Sequence, residues 1–124
     1  MKTALDPRHQ KRQEAVKALF AQSFMKQPNR EETVKNVLAN LDAIDDKIKL
    51  IAPEFPIDKI NKVDLAILRL GVYELTMDRR QPQKVVIDEA IELAKEFGND
   101  SSAAFINGAL GKLIKITKDE NTGV

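Results

Sequence analysis

Arg8, Lys11 and Arg12 fall three and four residues apart, the spacing that puts side chains on one side of a helix. Cations grouped in this way can neutralise the phosphates of a nucleic-acid strand, and an aromatic nearby would let an unpaired base stack. The same pattern also suits an ordinary solvated helix face rich in Lys and Arg. The wider charge distribution bears on the choice. The first thirty residues carry seven basic side chains against Asp6 and Glu14, a surplus of five, in a chain whose formal net charge is +1. The remainder is therefore mildly acidic, and a basic end on an acidic body is an arrangement that fits a polyanion.

Other chemistries find less material. His9 is the single histidine, there is no cysteine, and no HExxH spacing surrounds it, so no metal site is predicted. Ser-His-Asp catalysis would need His9 to be held by a buried acid, and the start of a helix reads as too exposed for that. Asp42, Asp45 and Asp46, like Asp88 and Glu92, lie opposite apolar stripes and read as solvated surface rather than acid/base pairs. The chain has neither GxxxxGK[ST] nor GxGxxG, so no phosphate-cradling loop or nucleotide cofactor is indicated. No catalytic residue and no cofactor is assigned, which leaves binding. With 31% charged residues, no apolar run near the ~20 residues of a membrane span and no basic-then-apolar leader, the expectation is a soluble cytoplasmic protein. The absence of cysteine fits a reducing compartment.

Helices must position these residues. In Val63 to Leu75 apolar side chains fill two helix faces, Val63, Ile67 and Leu70 on one and Leu65, Leu68, Val72 and Leu75 on the other, leaving Asp64, Arg69 and Glu74 as the charges. A helix apolar on two sides must be wrapped by others, so this is the hub of an all-α fold of five to seven helices. At 124 residues the chain makes one domain, residues 1–124, with a polar tail from 118 that reads as frayed. Asp6-Pro7 opens the first helix, which runs to about Met25 and buries Ala15, Val16, Leu19, Phe20 and Phe24. Asn29 and Glu32 have capping-box spacing for a second long helix, with Val34, Val37, Leu41, Ile44, Ile48 and Ile51 in near-heptad order. After an elbow with two prolines and the hub comes a fourth helix on Val86, Ala90, Leu93 and Phe97, with Gly98 as its cap. A last helix, capped by Asn99 or Asp100, carries Phe105, Ile106, Leu110 and Leu113, and its Gly108 and Gly111 suggest close helix packing. Phe20 and Phe105 sit at spacings that suit the core, while Asp64 with Phe20 offers a surface for a protein partner.

Three segments, RHQKRQEAVKALF, VDLAILRLGVYEL and KVVIDEAIELAKEFGNDSSAAFINGALGK, closely resemble the NusB family of bacterial transcription antitermination factors, and the likeness spans nearly the whole chain. The resemblance implies two packed helical bundles around a central buried helix, with no catalytic activity. It implies binding of boxA-type single-stranded RNA in nascent transcripts together with a small-subunit ribosomal protein acting as NusE. Other Nus factors and RNA polymerase complete the assembly, which promotes readthrough, notably of ribosomal RNA operons. The family's RNA-binding positions fall on Arg8, Lys11, Arg12 and Phe105, with Ser101 beside them where an acid is usual, and its partner contacts fall on Phe20 and Asp64. The alternative is a self-associating helical scaffold with RNA binding weakened or lost, its seam the heptad face from Val34 to Ile51.

Overall fold

A computed structural model of the chain describes residues 6–122, with side chains as far as Lys118, so Lys2 and the last two residues lie outside it. Among the described residues are six α-helices, one 3-10 turn and no strand. They run α1 (Pro7–Gln22), α2 (Glu32–Ala39), α3 (Leu41–Ile51), the turn Ile57–Lys59, α4 (Lys62–Thr76), α5 (Gln83–Phe97) and α6 (Ser102–Thr122). The all-α class holds, and so does the hub, because α4 packs against each of the other five helices. From Asp64 to Leu75 only Arg69 escapes burial. Ile67, Leu68 and Val72 are fully buried, and each such side chain contributes about 1.5–3 kcal/mol relative to exposure.

The start of α1 follows its sequence. Pro7 occupies the first helical position, and the Asp6 carboxylate accepts the Arg8 backbone N–H at 2.9 Å. That hydrogen bond, aided by the Arg8 charge, holds the Asp6 carboxyl below its ordinary range. The helix stops at Gln22, earlier than its apolar spacing predicts, and the Ser23 hydroxyl donates to the Phe20 carbonyl. Phe24 therefore lies beyond the helix and is 64% exposed instead of buried.

The single long second helix is also corrected, since it is two helices meeting at Asn40. The Asn40 side-chain amide donates to the Asn36 carbonyl at 2.8 Å, the local competition for backbone groups that makes Asn a poor interior helix residue. Capping shifts as well. Asn29 accepts the Glu31 N–H, and Glu31 itself caps α2 by accepting from Thr33 and Val34. The apolar face survives the break, with Val34, Val37, Ile44, Ile48 and Ile51 buried in the chain's own core. A seam for self-association on that face is thus already occupied. Asp45, expected in solvent, instead ties α3 to the hub by accepting two hydrogen bonds from Arg69, at 2.9 and 2.8 Å.

α6 remains helical to Thr122, through most of the tail read as frayed. Its glycines do not serve close packing: a Cβ at Gly108 or Gly111 would meet nothing within 4 Å. The tight positions are Gly71, where a Cβ would lie 2.9 Å from Leu110 Cδ1, and Gly98, where it would lie 2.6 Å from Ser102 Cβ and 2.7 Å from the Ala94 carbonyl oxygen. Gly98 does cap α5, in an extended conformation at φ −93°. Its lack of a side chain lets α6 start directly against α5, with Ser102 fully buried and its hydroxyl oxygen accepting the Asn99 N–H. In urea denaturation Gly98→Ala is expected to cost about 1–3 kcal/mol from overpacking. Gly108→Ala is expected to gain up to ~1 kcal/mol from helix propensity, and equal effects at the two sites would contradict this packing.

Candidate nucleic-acid interface

The basic start of α1 is fastened to the body by ionic contacts that helical spacing does not reveal. Arg12 points inward, its side chain 11% exposed. Nε and Nη2 donate to the Glu74 carboxylate of α4 at 3.0 and 2.8 Å, and Nη1 donates to Glu89 Oε1 of α5 at 3.3 Å. Burial by itself would lower the affinity of Arg12 for its proton. The hydrogen bond and charge of Glu74, reinforced by Glu89, outweigh that and raise it. One turn earlier, His9 is buried, with Nδ1 3.2 Å from Glu89 Oε1 and Nε2 2.8 Å from Glu96 Oε1. Gln13 Nε2 donates to the other Glu96 oxygen at 2.9 Å.

His9 is therefore neither exposed nor without a buried acid, contrary to the reading of the helix start as open. Both ring nitrogens face carboxylates, so neither is directed at a nucleophile. Among the described residues no group of three or more histidine and acidic side chains is placed to hold a metal ion.

Arg8 and Lys11 differ from Arg12. Both are exposed, and among the described residues the Arg8 guanidinium pairs with Asp6, at 3.6 Å. The three cations do share one side of α1, but Arg12 spends its charge on Glu74 and Glu89. Ser101 is exposed at the start of α6, where Asn99 Oδ1 accepts both its N–H and its hydroxyl. Phe105, one turn on, is half-buried and stands edge-on to Phe55 with centroids 5.8 Å apart. Among the described residues no hydrogen bond, ion pair or ring contact joins either of them to Arg8. α5 runs alongside α1 so that Phe97 lies under the Lys17 ammonium, 6.0 Å from its ring centre.

Phe20 and Asp64 do come to one end of the molecule. Phe20 stands edge-on to Phe24, centroids 5.0 Å apart, and the Lys62 ammonium of α4 lies 5.6 Å from the Phe24 ring. Asp64, two residues after Lys62, is 5% exposed in the first turn of α4, near the positive end of the helix dipole, and its Oδ1 accepts no hydrogen bond. What this end presents to solvent is Phe24 and Met25 more than Asp64.

Comparison with known proteins decides the lineage: residues 10–115 match the pattern of the NusB family. The chain belongs to the NusB family. A transcription antitermination protein NusB of Clostridium botulinum (strain Kyoto / Type A2) is 48% identical over 81 residues, covering 65% of this chain and 57% of that protein. The chain thus spans a little over half the length of that relative. The NusB of Acetivibrio thermocellus is 39% identical over 108 residues, covering 85% of this chain and 74% of its own length. Among solved structures, T. maritima NusB has a TM-score of 0.80 at 32% identity, covering 93% of each chain. A crystal structure of NusB and NusE in complex with double-stranded RNA has a TM-score of 0.77 at 20% identity over 90% of this chain and 99% of that one, a likeness of fold.

In this NusB-family chain the residues that sequence spacing missed are acids. Glu74 and Glu89 sit on the faces of α4 and α5 that turn toward α1, a relation set by helix packing. The available signal was Glu74 itself, a charge inside an otherwise apolar helix, which needs a cation when buried. Arg12→Met is expected to cost about 3–5 kcal/mol in chemical denaturation, because it strands two buried carboxylates. Adding Glu74→Met should recover part of that loss, and a near-neutral single variant would contradict the role given to the ion pair.

Proposed function

We propose that the chain is a non-catalytic adaptor of transcription antitermination that binds boxA-type single-stranded RNA in nascent transcripts together with a small-subunit ribosomal protein acting as NusE. In this reading the pair works with other Nus factors and RNA polymerase to promote readthrough, especially of ribosomal RNA operons. The observation that carries it is the pair of exposed cations, Arg8 and Lys11, on a helix start made rigid by the buried Arg12, Glu74, Glu89 and His9 contacts. A fixed cationic edge loses less freedom on binding a phosphate chain than a flexible arm does. The family membership supports the same reading, as do the C. botulinum and A. thermocellus relatives, which are antitermination proteins.

The roles of the individual residues follow their surroundings. Arg8 and Lys11 contact phosphates directly, and Arg12, its charge taken up by Glu74 and Glu89, holds the helix start that carries them in place. Ser101 and Phe105 meet the strand further along, Phe105 through whatever edge Phe55 leaves open. Phe20 and Asp64 belong to the protein-partner end, with Asp64 acting from beneath the surface.

About three phosphate contacts imply weak binding, with a slope of roughly −2 in a log–log plot of affinity against salt for a single strand. Useful affinity then comes from two modest interfaces on one RNA acting through effective concentration. Fluorescence anisotropy with a boxA-like RNA is expected to show this slope, reduced in magnitude by about 1.4 in the double variant Arg8→Ala, Lys11→Ala. Adding the ribosomal partner should tighten binding. An unchanged slope in the variant, or no tightening with the partner, would count against the adaptor.

A further inference from the structure

Where α1 passes the first turn of α2 and the loop between α4 and α5, the surface sinks into a cleft of about 240 Å³. Its floor is apolar, made by the buried side chains of Ala15 and Leu70. Arg8 and Lys11 border it on the α1 side and Arg80 on the loop side, while Thr33 and Gln81 add a hydroxyl and an amide. Three acids also line it, and each is engaged. Glu74 is paired with Arg12, Glu31 accepts the N–H groups that open α2, and Asp78 accepts from Arg80 at 2.8 and 2.7 Å. With four cations against three acids, the lining keeps a positive surplus carried by exposed side chains. Arg80 is 82% exposed, and Asp78 fixes its guanidinium at the mouth. The hydrogen bond from Arg80 holds the Asp78 carboxyl below its ordinary range, so the pair stays charged at neutral pH.

We propose that this cleft seats one unpaired nucleotide of the bound transcript, with its base over Ala15 and Leu70 and its neighbouring phosphates on Arg8, Lys11 and Arg80. The inference rests on the RNA-binding reading above and adds to it a place, a stoichiometry of one base, and three residues, Thr33, Arg80 and Gln81, that chain spacing did not single out. Each part of a nucleotide finds a counterpart. The flat ring has an apolar floor, its polar edge has the Thr33 hydroxyl and the Gln81 amide, and its anionic links have cations at the rim. The volume lies below the roughly 300–1,000 Å³ of sites for drug-sized ligands, so it admits one ring system and excludes a stacked pair. A base still paired in a duplex does not reach such a floor, which gives the site a preference for unpaired RNA.

The test uses the full chain and two readouts. In amide NMR, uridine and adenosine 5′-monophosphates are expected to shift Thr33, Arg80, Gln81 and the Arg8 to Ala15 turns, and inorganic phosphate to move only the residues at the rim. In anisotropy with a short single-stranded RNA, replacing one nucleotide by an abasic unit should lower affinity at a single position of the strand. Arg80→Ala with Gln81→Ala should lower affinity and remove that positional effect while leaving the melting temperature unchanged. The inference is overturned if phosphate alone reproduces the nucleotide shifts, if the shifts lie elsewhere, if the ribosomal partner rather than nucleotide perturbs these amides, or if the loop variant binds RNA as tightly as before. Failure of the chain to bind RNA at all would sink the adaptor reading, and the mononucleotide titration would still decide the cleft.

Discussion

The guanidinium of Arg12, clamped between Glu74 of α4 and Glu89 of α5, is the contact on which the rest of the α1 surface depends. Three helices distant in sequence meet there, and each contributes a charge that is costly to bury alone. Once the cation is in place both carboxylates face an opposite charge, and α1 cannot slide or rotate without separating them. His9 and Gln13 extend the hold to Glu96, so the first two turns of α1 are fixed along much of the length of α5. Apolar packing of Ala15, Val16 and Leu19 would hold α1 against the core by itself. The ionic contacts add a unique register, since they accept only one axial position.

That register has a functional consequence. The same helix face carries cations turned inward and cations turned outward, and the inward one determines where the outward ones stand. Arg8 and Lys11 therefore present charge at defined points beside the loop that bears Arg80. A helix start with three equally mobile cations would attract RNA at a distance but would hold it in no particular way. Here exposed residues carry the free charge and inward-turned ones fix its place.

The opposite end of α1 is built on different physics. Phe20, Phe24 and Lys62 make an aromatic and cationic cluster over the first turn of α4, and Asp64 lies under it with one carboxylate oxygen unengaged. An apolar, partly exposed surface suits a folded protein partner better than a phosphate chain. The two ends of α1 thus differ in kind, exposed cations at the start and a partly exposed apolar surface at the finish, and in the proposed adaptor the first takes RNA and the second a protein.

Helical periodicity, caps and the two-faced apolar pattern of α4 were sufficient to read the all-α class, the hub and the end of α5 at Gly98, because these depend on neighbours within a few residues along the chain. The family resemblance was legible for the same reason, being carried by continuous runs such as IDEAIELAKEFG. Local rules failed where two options were nearly equal in energy: Asn40 broke an otherwise good heptad, and Ser23 ended α1 a turn early and turned Phe24 to solvent. The inward turn of Arg12, the burial of His9, the Arg69 to Asp45 pair and the cleft bordered by Arg80 could not be read from spacing. Each joins groups from 24 to more than 80 positions apart. A lone charged residue in sequence is equally compatible with solvent and with a buried partner. Only the packing of α1 and α3 onto α4 and α5 brings the opposite charge near enough to make burial favourable.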